Sequence, residues 1–322
     1  MLQGATIAIV IPCYKVSKHL PSVVDSIPVW IDKIYLVDDA CPEKSVANLL
    51  ELNSDVRISG IFLQTNLGVG GAVKQGYRSC LNDGIDIVVR IDGDGQMDLE
   101  KLPKLLEPII SDGASFAKGN RFFNIEDLVR MPKRRLVGNL GLSFFSKFST
   151  GYWDIFDPNN GYNAISGSTL SKLPLEKIDN RYFFESDLLF RLGLIGAKVI
   201  DVPMPAVYDQ ETSNLSILKS LFEFPYKHIK NLFKRIFYNY FLREFNLGSL
   251  ELVLGTFLLT GGIISALFSW ITGIQTGIPT SIGRQMLISM MILAGLQFSL
   301  GFLSYDMYRT SSATKNSTFR KL

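Results

Sequence analysis

A chain of 322 residues is long enough for two domains of ordinary size. Its 33 lysines and arginines nearly balance 30 acidic residues, which excludes the strongly basic surface of a nucleic-acid binder, so no nucleic-acid partner is expected. Two histidines, and three cysteines (Cys13, Cys41, Cys80) in no metal-ligand spacing, exclude a His-rich zinc site and point to reduced thiols in a cytosolic compartment.

From the N-terminus, Thr6 to Ile11 is a short apolar run stopped by Pro12, with no cleavage signature of a secretory leader. This run and those at Lys33 to Val37, Ile58 to Leu63, Ile85 to Ile91 and Ser115 to Gly119 read as strands. Helical stretches near residues 18–27, 44–53, 69–83 and 99–111 separate them. The alternation predicts an α/β fold: a mostly parallel sheet with helices on its faces.

Polar groups gather where these strands end, the edge at which open α/β sheets bind ligands. The first strand ends in Pro12-Cys13-Tyr14-Lys15 and the second in Asp38-Asp39. The fourth ends in Asp92-Gly93-Asp94-Gly95-Gln96, two carboxylates one residue apart with glycines that let a ligand come close. Asp92, Asp94 and the Gln96 amide are hard oxygen donors suited to Mg²⁺ or Mn²⁺ on a phosphorylated substrate. Asn66-Leu67-Gly68-Val69-Gly70-Gly71-Ala72 is neither a Rossmann fingerprint, which belongs after the first strand, nor a Walker motif, despite Lys74. It reads as a tight turn into a helix whose N-terminus faces the same edge.

The apolar excess lies near the C-terminus. Ile217 to Phe245 places aromatic and aliphatic residues at helical spacing among lysines and arginines, as an interfacial helix on an anionic leaflet would, and Pro225 is expected to divide it. Leu252 to Ile271 and Met286 to Tyr305 are uncharged runs long enough to cross a membrane. Basic residues flank both runs on their outer sides, and the linker 272–283 is uncharged. The positive-inside rule therefore predicts a multi-pass protein of the cytoplasmic (inner) membrane with both termini cytoplasmic. The expected organisation is a cytoplasmic catalytic domain at 1–215, interfacial helices at 216–247, two transmembrane helices at 248–307 and a disordered cytoplasmic tail at 308–322. A homo-oligomer is left open.

One ordered series carries more than these patterns. Ile-Pro-Cys-Tyr (11–14), Val-Asp-Asp (37–39), Asn-x-Gly-x-Gly-Gly-Ala (66–72) and Asp-Gly-Asp-Gly-Gln (92–96) together resemble glycosyltransferase family 2. Gly-Asn-Arg-Phe (119–122), Asp-Pro-Asn-Asn-Gly-Tyr (157–162), Phe-Phe-Glu-Ser-Asp-Leu (183–188) and Asp-Val-Pro-Met (201–204) extend the likeness to its dolichyl- and polyprenyl-phosphate sugar synthases. The resemblance implies a GT-A fold, a nucleotide-sugar donor, a divalent metal, inverting transfer, and a polyprenyl-phosphate or lipid-linked acceptor among membrane lipids. Carried over by position, Asp39 would contact the nucleobase, Pro12 and Tyr14 would line its pocket, and Gly68 and Gly93 would border the donor. Asp92, Asp94 and Gln96 would hold the metal and diphosphate. Arg121 would meet a phosphate of donor or acceptor, with Arg134, Arg135, Ser216 and Lys219 as further acceptor-phosphate groups. If the acceptor were a sugar hydroxyl, a carboxylate base would be needed, and Asp157, Glu185 and Asp187 are the candidates.

The chain also departs from those relatives. Some carry Arg-x-x-Gly-x-Ser-Lys after the Val-Pro strand, where this chain reads Asp209-Gln210-Glu211-Thr212-Ser213-Asn214-Leu215-Ser216. Some place an acid just after the Asn-x-Gly turn, where this chain has Tyr162. Both differences fall on the acceptor side.

Overall fold

The computed structural model describes residues 4–122, 133–204 and 217–315. Seven strands form one sheet: β1 (Ile7–Cys13), β2 (Lys33–Asp38), β3 (Ile58–Phe62), β4 (Ile87–Arg90), β5 (Phe116–Asn120), β6 (Asn163–Ser166) and β7 (Val199–Pro203), in the order β3-β2-β1-β4-β6-β5-β7. β1 to β4 are parallel neighbours and β7 runs parallel to β5. β6 runs antiparallel to both β4 and β5, which makes the sheet mixed. All five strands read from the alternation are present, and β7 is the Val-Pro strand named with the motifs; β6 is an addition. β6 is only four residues long and gives no alternation to read.

Side-chain alternation along β1 builds the core. Ile7, Ile9, Ile11 and Cys13 face one cluster with the helices Leu20–Asp25 and Leu102–Ile110. Ala8 and Val10 face the other, with Val69–Asn82 and Phe184–Leu194. The central strands are fully covered on both faces, as parallel strands require. The three cysteines are buried and free.

The strand order turns back at β1, with β2 on one side and β4 on the other. That switch point opens a crevice at the strands' C-terminal ends. Val10 pairs with Arg90 and Cys13 with Asp38, so Pro12 runs beside Asp92 and Tyr14 beside Asp39.

A second compact unit comprises Phe233–Ser312. The basic helix Ile217–Phe237 leads toward it and runs unbroken through Pro225, so the expected division at that proline does not occur; the regular helix instead gives way to a π turn at Tyr238–Leu242. The helices Leu247–Thr276 and Ile282–Lys315 follow. The second extends into the stretch expected as a tail. Each holds a span of 28 or 30 residues, Leu247–Thr276 and Ile282–Arg309, whose 18 most apolar consecutive residues have mean hydropathy 2.0, enough to cross a ~30 Å hydrocarbon core. Large side chains such as Phe257, Trp270 and Leu293 are exposed, a surface that suits lipid and not water. The pair approaches closely at glycines: a Cβ on Gly295 would lie 2.5 Å from the Leu259 nitrogen, and one on Gly255 2.8 Å from Ser299 Oγ. Small residues play this part between helices in lipid. At the base of this unit Asp306 is buried and accepts from Arg235 Nη1 at 2.7 Å and from Tyr240 Oη at 2.7 Å.

Candidate active site

Two cavities meet at the switch point and share one wall, Asp92 and Asp94. The larger holds about 560 Å³, and its floor is Pro12, Tyr14, Asp39, Gly68, Gly93 and the shared wall. The smaller holds about 110 Å³ and adds Gln96, Asp98, Arg121, Asn160 and Tyr162 to that wall.

The floor of the larger cavity is seated on strand tips and a glycine turn. Lys15 and Ala40, at the tips of β1 and β2, have φ of +57° and +50°, left-handed conformations that non-glycine residues adopt at a cost. The Lys15 N–H is tied to Cys41 Sγ at 3.1 Å. Asp39, almost wholly buried, spends its carboxylate on the glycine turn: Leu67 N–H donates to Oδ1 at 2.7 Å and Gly68 N–H to Oδ2 at 2.9 Å. Gly68 has φ +87°, and a Cβ there would lie 2.9 Å from the Asn180 carbonyl, so both backbone and space demand glycine. Lys74 is no phosphate ligand. It is buried and donates to the Ile178 carbonyl at 2.7 Å, and burial lowers its pKa.

On the shared wall, Asp92 Oδ1 accepts from Arg90 Nη2 at 3.0 Å, and Arg90 Nη1 donates to Glu185 Oε1. Burial pushes the Glu185 carboxyl above its ordinary range, against the pull of Arg90. Asp94 Oδ1 accepts from Gln96 N–H at 3.0 Å, closing the turn in which Gly95 takes φ +79°.

These residues fit a divalent cation. Asp92 Oδ2 faces Gly161, where a Cβ would stand only 2.5 Å from it, so room beside that oxygen exists because residue 161 is glycine. Among the described residues no group of three or more His, Cys, Asp or Glu side chains could hold a metal by itself. Two carboxylates one residue apart suit Mg²⁺ or Mn²⁺ completed by water and substrate phosphates, and not an all-protein cage.

In the smaller cavity Arg121 presents a cation. Asp157 chelates it, accepting from Nε at 2.7 Å and from Nη2 at 3.1 Å. Burial alone would raise the Asp157 pKa, but the Arg121 guanidinium holds it below the usual carboxylate range. Asp157 itself lines neither cavity. Asn160 pins the loop to the end of β5, its Nδ2 donating to the Gly119 carbonyl at 2.8 Å. Tyr162 Oη donates to the Asp98 carbonyl at 3.2 Å.

The residues named from sequence therefore fall into groups. Pro12, Tyr14, Asp39, Gly68, Gly93 and Glu185 reach the larger cavity, Gln96 and Arg121 the smaller, and Asp92 and Asp94 both. Asp187 is spent on structure, accepting from Asp179 N–H and Asn231 Nδ2, each at 3.0 Å. Ser216 lies outside the described residues, as do the side chains of Arg134, Arg135 and Lys219. Sequence reasoning missed Arg90, Arg181 and Tyr182 on the larger cavity. Arg90 left a signal, as the one charge in an otherwise apolar strand; the other two sit in an irregular stretch with no pattern.

Comparison with known proteins agrees with this architecture. The family model described as glycosyl transferase family 2 matches residues 8–173, just over half of the chain. The chain belongs to glycosyl transferase family 2. It is 30% identical over 218 residues to the UDP-N-acetylglucosamine–dolichyl-phosphate N-acetylglucosaminyltransferase of Methanococcus voltae, covering 63% of this chain and 86% of that protein. It is 29% identical over 201 residues to the polyprenol monophosphomannose synthase of Mycolicibacterium smegmatis, covering 61% and 75%. Among solved structures, glucosyl-3-phosphoglycerate synthase of Mycobacterium tuberculosis, in complex with Mn²⁺, UDP and phosphoglyceric acid, matches with a TM-score of 0.52 at 20% identity, covering 72% of this chain and 78% of that one. At that identity the likeness shows the shared GT-A fold. The protein is a glycosyltransferase whose Asp-Gly-Asp-Gly-Gln strand end lies at the switch point of that fold.

Proposed function

We propose that this transferase moves one sugar from a UDP- or GDP-sugar to the phosphate of a polyprenyl phosphate, with inversion, at the cytoplasmic face of a membrane that it crosses twice. The observation that carries the reading is the shared carboxylate wall: one cavity large enough for a nucleotide sugar, a second holding a chelated arginine, and Asp92 and Asp94 between them. The relatives' names and the two apolar helices support the lipid acceptor and the membrane.

In this mechanism the larger cavity takes the donor and the smaller takes the acceptor phosphate. Asp92, Asp94 and Gln96 would hold Mg²⁺ or Mn²⁺, which when bound neutralises charge on the nucleoside diphosphate. Arg121, its planar fork held by Asp157, binds and orients the acceptor phosphate. A phosphate oxygen forms the bond to the anomeric carbon as the bond to the diphosphate breaks, and the electron pair leaves with the nucleoside diphosphate. A phosphate monoester is ionised near pH 7, so no protein base has to remove a proton. That agrees with Asp157 chelated by Arg121, Asp187 held by backbone and Asn231, and Glu185 bound to Arg90.

The test is to incubate membranes carrying the full-length protein with labelled UDP- and GDP-sugars, Mn²⁺ and undecaprenyl phosphate. The expected product is a chelator-sensitive glycolipid. No glycolipid with any common donor would overturn the reading. Product formed only on a lipid-diphosphate-linked glycan would replace it with transfer to a sugar hydroxyl.

A further inference from the structure

Arg181, Tyr182 and Glu185 enter the larger cavity from one arch of chain, Asp179 to Asp187, and that arch is bonded to the basic helix Ile217–Phe237. We propose that Lys227 and Asn231 of this helix are positioning residues for the donor site, an inference that rests on reading the larger cavity as the donor cavity. They hold the arch where its three side chains meet the nucleotide sugar.

The arch is fixed from two sides. On one, the glycine turn grips its backbone: Gly71 N–H donates to the Asn180 carbonyl at 2.9 Å and Lys74 to that of Ile178. On the other, the helix grips its carboxylates. Lys227 Nζ donates to Asp179 Oδ2 at 2.6 Å, and Asn231 Nδ2 donates to Asp187 Oδ1 at 3.0 Å. The same two carboxylates shape the arch from within. Asp179 Oδ1 accepts from Arg181 N–H at 2.8 Å, and Asp187 Oδ2 accepts from Asp179 N–H at 3.0 Å. Each therefore joins a helix side chain to the backbone that aims Arg181 and Tyr182 or opens the Glu185 turn. Phe183 wedges between them, its ring 4.8 Å from that of His228, 5.4 Å from that of Phe224 and 5.4 Å below Lys227 Nζ. Removing a helix donor leaves a carboxylate of the arch short of a partner; Asp187 keeps Arg191, whose Nη2 lies 3.3 Å from its Oδ2, so the larger displacement is expected at Asp179. Ordinary helix docking would set stability alone; bonds routed through these carboxylates set the geometry of the cavity wall.

The test uses the full-length protein in detergent or nanodiscs with Mn²⁺, comparing wild type with Lys227→Met, Lys227→Arg and Asn231→Ser. Binding of UDP and GDP, both KM values and the thermal midpoint are measured. Lys227→Met is expected to raise the nucleotide Kd and donor KM about tenfold, through loss of the charge-assisted bond to Asp179, with acceptor KM unchanged; its other partner, Glu223, lies one turn away on the same helix. Lys227→Arg restores them, and Asn231→Ser, the milder change should Lys227→Met fail to fold, moves them the same way. Folded variants with wild-type nucleotide Kd and donor KM would overturn the inference alone, as would a fall in thermal midpoint with both KM values unchanged. A wild-type protein binding neither nucleotide would overturn the donor reading and this inference together.

Discussion

The two cavities that share Asp92 and Asp94 are built in opposite ways. The larger is lined by strand tips and a glycine turn, with left-handed Lys15 and with Asp39 spent on the N–H groups of Leu67 and Gly68, and by Arg181, Tyr182 and Glu185 of one arch. The smaller is lined by side chains on the antiparallel return: Arg121 chelated by Asp157, Asn160 pinned to Gly119, and Tyr162. A cavity seated on such turns keeps its shape through most substitutions, so it suits a ligand part common to many enzymes, such as a nucleoside diphosphate. Side-chain contacts change with each substitution, so they suit an acceptor that differs from one enzyme to the next. In this reading the fold conserves the donor and the sequence chooses the acceptor.

The largest effect is expected at the shared wall. Asp94→Asn should lower transfer by about 10³-fold, since several kcal/mol of charge stabilisation are lost, with little change in thermal midpoint. Initial rates with labelled donor at saturating Mn²⁺ check it, and wild-type turnover would remove the wall from the chemistry. On the smaller cavity alone, Arg121→Lys keeps the charge but loses the bidentate fork; acceptor KM should rise about tenfold with donor KM unchanged. A matching rise in donor KM would break the division between the cavities.

The last prediction concerns stability and the helix that grips the arch. His228 is buried, its Nδ1 2.8 Å from Ser149 Oγ, and burial lowers its pKa from 6.5 to about 4. The unfolded chain takes up a proton near 6.5 while the folded one resists until about 4. The stability held by neutral His228 is therefore complete above 6.5 and lost as pH falls toward 4, on the order of 3 kcal/mol in all. Thermal midpoints across that window should fall more steeply in wild type than in His228→Asn, and equal slopes would assign the acid sensitivity elsewhere.

Most of the larger cavity's floor was legible because its signals are local. A β-branched run ended by Asp-Gly-Asp, and a glycine turn ahead of a helix, announce their geometry within a few residues. β6 was not legible, because four residues give no alternation and its antiparallel direction comes from pairing with β4 and β5. The pairing of Arg121 with Asp157 was hidden for a similar reason: the motifs Gly-Asn-Arg and Asp-Pro-Asn lie 36 residues apart and meet only in the fold. That pairing recasts Asp157, a candidate base in the sequence, as the residue that holds the arginine. Pro225 misled because a proline can sit in a helix whose remaining bonds and packing outweigh the one it removes.

The most direct measurement is two-substrate kinetics on wild type, Arg121→Lys and Lys227→Met under one set of conditions. The account predicts a crossed pattern: acceptor KM raised by the first variant, donor KM by the second, and each leaving the other constant unchanged. Parallel changes in both constants by both variants would contradict the division of donor from acceptor across the Asp92–Asp94 wall.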